Sequence, residues 1–200
     1  MQLISADPSP FARKVRVLLL ETGQIENVEI VCVTTTPVNP DATVTAANPM
    51  NKIPALVRPD GPAIYDSRVI TRYLDARGES GMYPENRLWD TLTLEATADG
   101  IMDAAVLMTY EARLRPPEHQ SQDWTEAQWK KVRGAIGAIN TRWMSHLAGP
   151  LDMSHIAVAC ALGYIDFRHG DRNWRKENDA LDDWYAVFSE RDSMKATAPE

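Results

Sequence analysis

A proline that precedes a short apolar run is the first feature of this sequence that points to ligand binding. Pro54 stands directly before Ala55-Leu56-Val57, which is typical of a β-strand. Proline has no N–H for the strand ladder, so it belongs at a strand start or in a special turn. Ile53–Pro54 is also the kind of bond in which cis peptides occur. A cis bond would turn the N–H and C=O of Ile53 outward, which predicts an open edge for an extended peptide.

A helix start with a carboxylate and a hydroxyl follows this edge. Asp60-Gly61 is typical of a hairpin turn, and Asp66-Ser67 then opens a helix. One of these two residues caps the helix. In addition, the carboxylate can pair with an ammonium group, while the hydroxyl and the free N–H groups can bind a carboxylate. With Lys52 beside the edge, the segment predicts a site for a small zwitterionic, peptide-like ligand.

Near the chain start, Ser9 is followed by Pro10, the combination expected at an N-cap and the first position of a helix. A role as the helix cap is by itself enough to explain a serine at position 9. The same geometry also favours an anion, because a helix N-terminus carries free N–H groups and a partial positive charge. A thiolate at this position would have a lowered pKa, and the serine hydroxyl could donate a further hydrogen bond to it.

Charge and composition exclude several classes of partner. The net charge of −7 over 200 residues argues against nucleic-acid binding. The basic run Arg13-Lys14-Val15-Arg16 is interpreted as the solvated face of a helix. No stretch approaches membrane-spanning length, and polar residues 5–8 leave no room for a signal peptide, so a cytoplasmic location is expected.

The histidines and cysteines do not follow a metal-binding pattern. Neither HxxxH nor CxxC spacing occurs, so no metal is predicted. The two cysteines lie far apart in apolar runs, and both are expected to be buried thiols. These residues are His119, His146, His155, His169, Cys32 and Cys160.

The first 77 residues alternate between strand and helix patterns. The order strand–helix–strand–(helix)–strand–strand–helix predicts a mixed four-stranded sheet with the topology of the thioredoxin fold. The first two strands, joined by a crossover helix, should be parallel, and the hairpin strands antiparallel. The Gly- and Pro-containing residues 78–85 are predicted to be a linker.

Residues 86–200 contain only helical patterns, which predicts an all-helical bundle domain. A long helix is expected from Leu88 to Leu114, and a second from Asp123 toward Leu147. Asp152 should cap a third helix that is apolar on nearly every side and therefore buried. A last helix is expected over about 180–190, with a loose tail beyond it.

Taken together, these motifs resemble the glutathione S-transferase superfamily, of the bacterial type with serine at the thiol-contacting position. The resemblance covers nearly the whole chain and depends on the order and spacing of the motifs. They are Ser9-Pro10-Phe11, Asn48-Pro49 with Lys52-Ile53-Pro54, Asp66-Ser67, Ala98-Asp99-Gly100 and the run 156–164.

The resemblance implies specific roles for residues of the first domain, which becomes the glutathione-binding domain 1–77. Ser9 would contact the glutathione sulfur and act in catalysis. The backbone of Ile53, next to Pro54, would pair with the peptide, and Asp66 with Ser67 would hold the γ-glutamyl end. Lys52 would meet the glycine carboxylate.

The second domain is expected to contribute to assembly. In the family, an acidic residue of the long helix can reach the glutathione of the other subunit, and Asp99 is the candidate for this role here. Asp99 and Asp103 lie four residues apart, and a solvated helix face explains such a pair equally well. The resemblance therefore implies a homodimer.

Three functions fit the sequence. The first is a glutathione transferase that joins the glutathione thiolate to a small electrophile, with glutathione as co-substrate and no metal. The second is a non-catalytic module of the same fold, which binds glutathione or a protein partner. The third is a thiol reductase or peroxidase, which Ser9 disfavours because a cysteine would be needed there to form a mixed disulfide.

Overall fold

The computed structural model describes residues 1–199, so Glu200, the predicted end of the helical domain, lies outside it. The chain divides into two compact units. The first comprises Met1–Pro84 together with the described residues from Asp192 onward, and the second comprises Glu85–Arg191.

The first unit contains the mixed four-stranded sheet that the sequence predicted. Its strands are β1 (Gln2–Ser5), β2 (Glu29–Cys32), β3 (Ala55–Arg58) and β4 (Gly61–Ile64), arranged in the order β2-β1-β3-β4. β1 and β2 are parallel, whereas β3 is antiparallel to both β1 and β4. The thioredoxin-like topology is thereby confirmed.

Helices of the first unit cover the sheet. They are α1 (Pro10–Glu21), α2 (Ala42–Ala47) and α3 (Ser67–Gly78), with a 3₁₀ turn at Ile25–Asn27. Ile4 pairs with Ala55 across the sheet, and both pack in one buried cluster with Val44 of α2. Leu3 and Leu56, the next pair, are fully buried and point to the opposite face because side chains alternate along a strand.

The second unit is helical, as predicted. α4 (Leu88–Leu114) packs along α5 (Gln122–Arg142) and α7 (Met153–His169), accompanied by α6 (Met144–Leu147) and α8 (Asp179–Phe188). Short 3₁₀ turns occupy Glu85–Arg87, Pro117–His119 and Gly170–Arg172. Every residue from Ile156 to Ile165 is buried, so α7 is the core helix that its apolar sequence indicated. Within residues 1–199, every helix falls short of the length or the apolar character needed to span a bilayer.

The C-terminal segment differs from its predicted loose tail. Residues Asp192–Lys195 form a ninth helix, α9, which packs on α1 in the first unit rather than with the helical domain. Arg13 of α1 donates to the carbonyl oxygen of Met194 at 2.9 Å and to Thr197 Oγ1 at 3.3 Å. These bonds provide acceptors for the guanidinium group of Arg13, a residue that is only 6% exposed.

Two predictions from the sequence about which side chains are buried are wrong. Arg13 and Lys14 are buried, so the basic run is not simply a solvated helix face. Cys160 is buried as expected, but Cys32 is exposed because the second strand lies at the sheet edge.

Candidate functional site

The sheet topology brings the predicted site segments of the first unit to one end of the sheet. Ile4, near the end of β1, pairs with Ala55 at the start of β3, and Leu56 pairs with Ile64 at the end of β4. The loop after β1, the segment before β3 and the helix start after β4 therefore lie at the same end. These connections carry Ser9, Ile53–Pro54 and Asp66-Ser67, respectively.

Ser9 is the N-cap of α1, and Pro10 occupies the first helical position. The Ser9 side chain accepts a hydrogen bond from the backbone N–H of Ala12 at 3.2 Å. Its own N–H donates to the carbonyl oxygen of Ala6 at 3.0 Å, which fixes the approach of the loop to the helix. The hydroxyl hydrogen of Ser9 remains available for a ligand, because a capping hydroxyl uses only its acceptor lone pair.

The segment before β3 has a fixed conformation. Asn48 is 2% exposed; its amide donates to the Lys52 carbonyl at 2.8 Å and accepts from Met50 N–H at 2.9 Å. Asn51 has φ of +54°, and its side-chain oxygen is buried without a hydrogen-bond partner among residues 1–199. Neither asparagine was identified as a site residue from the sequence, although asparagine is one of the residue types that tolerate a positive φ.

Ile53 has the open backbone that the sequence predicted at this position. Its bond to Pro54 is cis, and its N–H and C=O make no backbone hydrogen bond within the described part of the chain. An unpaired peptide group beside a strand is suited to pairing with an extended ligand. Lys52 is exposed at the same segment.

Asp66 is the N-cap of α3, and Ser67 is the first residue of that helix. One carboxylate oxygen of Asp66 accepts from the Arg68 backbone N–H at 3.0 Å, and the other accepts from the Arg68 guanidinium at 3.0 Å. Ser67 is 2% exposed. The helix start thus presents a partly exposed carboxylate beside a hydroxyl.

The Asp66 carboxyl has a lowered pKa. Burial alone would raise the pKa, but the hydrogen bonds and charge of Arg68, with a smaller contribution from Lys14, outweigh it. Asp66 is therefore ionised at neutral pH and can pair with an ammonium group. Lys14 lies on α1, so the fold adds a cation near Asp66 that the sequence spacing did not indicate.

Asp99 lies on α4 in the helical unit and is only 7% exposed. Asp103, one turn further along, is exposed. The two carboxylates therefore have different environments, and the solvated face that was the alternative explanation accounts for Asp103 only.

A second polar cluster surrounds Asp152, the N-cap of α7. The Asp152 carboxylate contacts His146 Nε2 at 2.8 Å, His155 Nδ1 at 2.9 Å and Thr91 Oγ1 at 3.0 Å. Ser154 donates its backbone N–H at 3.0 Å and its hydroxyl at 2.6 Å to the same carboxylate. The same His155 Nδ1 also lies 3.3 Å from the backbone nitrogen of Asp152, so a histidine occupies the capping-box position where an acid or amide is usual.

This cluster also groups three possible metal ligands. The ligand atoms of His146, Asp152 and His155 all lie within 4.8 Å of one another, although their sequence spacing predicted no metal site. Arg87 approaches the same carboxylate at 3.4 Å, and a nearby guanidinium disfavours a bound cation. Burial raises the pKa of Asp152, but the hydrogen bonds from His155 and Ser154 more than offset this and lower it strongly. The geometry therefore favours a charged structural cap.

Comparison with known proteins identifies relatives over the whole chain. The family profile described as "Glutathione S-transferase, N-terminal domain" matches residues 8–77, and "Glutathione S-transferase, C-terminal domain" matches residues 122–186. The "Uncharacterized GST-like protein YibF" of Escherichia coli (strain K12) is 30% identical over 204 residues. That alignment covers 100% of this chain and 98% of YibF.

Solved structures extend the comparison to bound ligands. A glutathione transferase family member from Pseudomonas fluorescens Pf-5 with bound glutathione is 44% identical, with a TM-score of 0.97 and coverage of 100% of this chain and 98% of the other. A second structure of a glutathione transferase family member from Pseudomonas fluorescens Pf-5, with bound S-(propanoic acid)-glutathione, is 43% identical. Its TM-score is 0.92, and the alignment covers 100% of both chains. A glutathione S-transferase from Methylobacillus flagellatus KT with GSH bound is 33% identical, with a TM-score of 0.85 and coverage of 100% and 99%.

Proposed function

The chain belongs to the glutathione S-transferase family, and from this premise we propose that it binds glutathione and transfers its thiolate to a small electrophile. The observation that carries the proposal is the convergence of three complementary groups at one end of the sheet. These are the open peptide edge of Ile53, the charged helix start at Asp66 and the helix N-terminus capped by Ser9.

Each part of glutathione has a matching group in the first unit. The peptide backbone pairs with the N–H and C=O of Ile53, next to Pro54. The γ-glutamyl ammonium pairs with the Asp66 carboxylate, and its carboxylate binds the Ser67 hydroxyl and the free N–H groups of α3. Lys52 is the cation available for the glycine carboxylate. In this proposal, residues 1–77 form the glutathione-binding domain.

The chemistry requires only that the thiol be ionised and positioned. The N-terminus of α1 and the Ser9 hydroxyl stabilise the thiolate, which lowers the pKa of the bound thiol. The sulfur then forms a bond to the electrophilic carbon, and the leaving group departs with the electron pair of its own bond. Positioning and thiolate stabilisation account for the rate, with no covalent enzyme intermediate.

Relatives support the ligand and the product class. Structures 44%, 43% and 33% identical to this chain contain glutathione, S-(propanoic acid)-glutathione and GSH, respectively. An S-substituted glutathione is what transfer to carbon produces. The serine at position 9 disfavours a thiol reductase, because no cysteine is available there for a mixed disulfide.

The assembly and location are also part of the proposal. The protein acts in the cytoplasm as a homodimer, with Asp99 of α4 directed toward the glutathione of the other subunit. Because Asp99 is 7% exposed in the single chain, only a small part of its carboxylate is available for that contact.

The test compares glutathione with a shorter peptide that lacks the γ-glutamyl group proposed to bind Asp66 and Ser67. Calorimetric titration should detect binding of glutathione and much weaker binding of cysteinylglycine, which lacks the γ-glutamyl group. A panel of thiol acceptors should then give conjugates faster than the uncatalysed reaction. Equal binding of the two peptides, or no acceleration with any acceptor, would contradict the binding mode or the activity, respectively.

A further inference from the structure

The loop that carries Ser9 is held by an arginine two turns further along α1. Residues 6–9 form a turn in which the Ser9 N–H donates to the carbonyl oxygen of Ala6 at 3.0 Å. Asp7 lies inside this turn, and one of its carboxylate oxygens accepts from the Arg16 guanidinium. The side chain of Arg16 reaches back to this oxygen because side chains of an α-helix lean toward its N-terminus. A displacement of Asp7 would therefore move the turn that places Ser9.

Arg16 is fixed on its other side by the C-terminal segment, residues 192–197, which belongs to the same unit. A second nitrogen of its guanidinium group donates to the carbonyl oxygen of Thr197 at 3.3 Å. Arg13, which lies one turn closer to Ser9 on the same face of α1, donates to two acceptors of this segment. The segment thus binds two arginines of α1, and one of them also holds the loop before the helix.

The sheet contacts the same carboxylate. Cys32, the last residue of β2, donates from Sγ at 3.8 Å to the Asp7 oxygen that binds Arg16. Because β1 and β2 are parallel and Ser5 pairs with Cys32, the loop leaves the sheet beside this thiol. Asp7 is therefore bound both by the edge strand and by α1, which restricts where the turn can lie.

The ion pair of Asp7 with Arg16 differs from an ordinary surface pair. Exposed pairs contribute little, because water solvates and screens both charges. The Asp7 side chain is 57% exposed, but that of Arg16 is only 11% exposed. The Nε atom of Arg16 is buried without a hydrogen-bond partner within residues 1–199, which costs free energy. A solvated residue would avoid this cost, so the bridge that Arg16 makes between two segments indicates a role beyond solubility.

We propose that Asp7 and Arg16 are positioning residues, which hold the turn 6–9 against the C-terminal segment so that the Ser9 hydroxyl meets the glutathione sulfur. The inference rests on the proposed transferase function and adds to it two residues that act through Ser9. A displacement of about 1 Å in an active site can slow an enzyme about 100-fold, so a slight loosening of this turn is enough to affect the rate.

The opposite charges of the two residues separate positioning from simple electrostatics. Arg16→Gln removes a positive charge, and Asp7→Asn removes a negative one. Acting through charge alone, the first change would raise the pKa of the bound glutathione thiol and the second would lower it. Acting through the position of Ser9, both changes should raise that pKa and lower kcat by about tenfold, with glutathione affinity nearly unchanged. Ultraviolet absorbance of the thiolate against pH gives the pKa, and calorimetry gives the affinity.

A second substitution tests whether the effect passes through Ser9. In a Ser9→Ala background, neither Arg16→Gln nor Asp7→Asn should raise the thiol pKa further, because the hydroxyl that they position is absent. Arg16→Lys should restore part of the parent pKa, since a lysine still pairs with Asp7 but lacks the fork that also reaches Thr197. Arg58→Gln is the matched control, because Arg58 ends β3 at the opposite end of the sheet; pKa and kcat should stay unchanged.

Two results would overturn the positioning role. One is a thiol pKa that Asp7→Asn lowers, and the other is an effect of Arg16→Gln that is equally large with and without the Ser9 hydroxyl. Either would show that the charge itself acts on the thiol. Melting curves identify any variant that does not fold, and Arg16→Lys then provides the milder change.

Amide hydrogen exchange of the ligand-free protein separates failure of the positioning from failure of the transferase function. The reporters are the N–H groups of Ser9 and Ala12, which donate within the turn and to the cap. Arg16→Gln should speed the exchange of both, and Arg13→Gln should do so as well because it loosens the C-terminal segment.

Unchanged exchange in Arg16→Gln would overturn the proposal whatever the activity, and unchanged exchange in Arg13→Gln would remove the C-terminal segment from it. Faster exchange in both variants, together with a raised thiol pKa, supports it even if no electrophile is converted. Faster exchange in variants of a parent whose bound thiol titrates like free glutathione would instead reject the thiolate role of Ser9, and with it the proposed function.

Discussion

At the residue scale, Ser9 is placed at the N-terminus of α1, where its side chain can cap the helix and also donate a hydrogen bond to a bound thiolate. Its side-chain oxygen caps α1 by accepting from Ala12 N–H at 3.2 Å, and its hydroxyl hydrogen is free to point elsewhere. The cap needs only the lone pair, whereas stabilisation of a thiolate needs the proton. The two roles can therefore be separated by experiment.

Substitution of Ser9 should change the thiol pKa more than the affinity. In the parent complex, bound glutathione should titrate well below the roughly 8.5 of a free thiol. Ser9→Ala should raise this pKa and slow conjugation, but only in part, since the N-terminus of α1 still favours the anion. Ultraviolet absorbance of the thiolate against pH reports the shift. A bound thiol that titrates like free glutathione in the parent would leave Ser9 as a helix cap alone.

Replacement of Ser9 by cysteine is the complementary control. Ser9→Cys should lose conjugation and gain a mixed disulfide with glutathione, which mass spectrometry detects as an adduct that a reductant removes. A protein that keeps its conjugating activity after this change would contradict the role assigned to the hydroxyl.

Asp66 should contribute to glutathione binding through its charge. Asp66→Ala should weaken glutathione binding by about 1.5 kcal/mol. This value lies at the lower end of the range for a hydrogen bond to a charged group, because the Asp66 side chain is partly exposed. Asp66→Asn is the matched control, because an asparagine keeps the cap to Arg68 N–H but lacks the charge. Calorimetry should find both variants weakened. Full affinity in Asp66→Asn would rule out the ammonium contact.

At the same scale, the sequence predicted the residues that lie next to strand ends but not those that the fold brings from elsewhere. Ser9, Ile53 and Asp66 are recognisable because proline, a strand pattern and an N-cap stand beside them. Lys14 was taken for a surface residue, since only packing of α1 in three dimensions buries it near Asp66. The His146–Asp152–His155 cluster was missed because His146 precedes the helix that the other two begin.

At the scale of elements, α7 begins at a fully buried charged N-cap, Asp152. The helix is buried along thirteen consecutive residues from its first, Met153, so it must enter the core with its first turn fully hydrogen-bonded. Asp152, which is completely buried, meets this requirement with its carboxylate, and histidine and serine side chains surround it. An uncharged cap would leave several of these donors without a strong acceptor.

Removal of the Asp152 carboxylate should destabilise the protein strongly. Asp152→Ala should lower the free energy of unfolding by about 3 kcal/mol, because it removes both the cap and the partner of buried polar groups. Asp152→Asn should cost less, since an asparagine still caps the helix. Urea denaturation followed by circular dichroism measures both. A loss below about 0.5 kcal/mol in Asp152→Ala would show that α7 does not depend on this cap.

The Asp152 carboxylate should also make the free energy of unfolding depend on pH, and the direction of that dependence follows from its lowered pKa. The pKa of Asp152 is lowered in the folded state, so its contribution is present above the ordinary value of 3.8 and is lost as the pH falls below it. The difference in unfolding free energy between the parent and Asp152→Asn should therefore shrink as the pH falls below about 4. A difference that is constant with pH would contradict the lowered pKa.

Element boundaries were predicted best where local signals stop a helix. α4 was expected from Leu88 to Leu114 and has those bounds, because Pro116 and Pro117 follow it. α9 was missed, since a four-residue helix has no period long enough to recognise and is stabilised by contacts of Arg13 with Met194 and Thr197.

At the scale of the whole molecule, the sequence predicted two regions of different class, and the structure contains two units of those classes. The first unit has the mixed sheet and the second has only helices. The C-terminal residues could not be assigned from the sequence, because their partner α1 lies about 180 residues earlier. Such long-range contacts leave no periodic trace in the local sequence.

The proposed homodimer gives the last prediction. Closed two-fold association is the commonest oligomeric state, and the long helix α4 presents the exposed Asp103 one turn from the buried Asp99. Light scattering at micromolar concentration should therefore report about twice the sequence mass of 22.4 kDa. Asp99→Asn should then weaken glutathione binding without dissociating the dimer, whereas Asp103→Asn, the control on the same helix, should leave binding unchanged. A mass of one chain would remove Asp99 from the glutathione site, because a contact with the other subunit's glutathione requires the second copy.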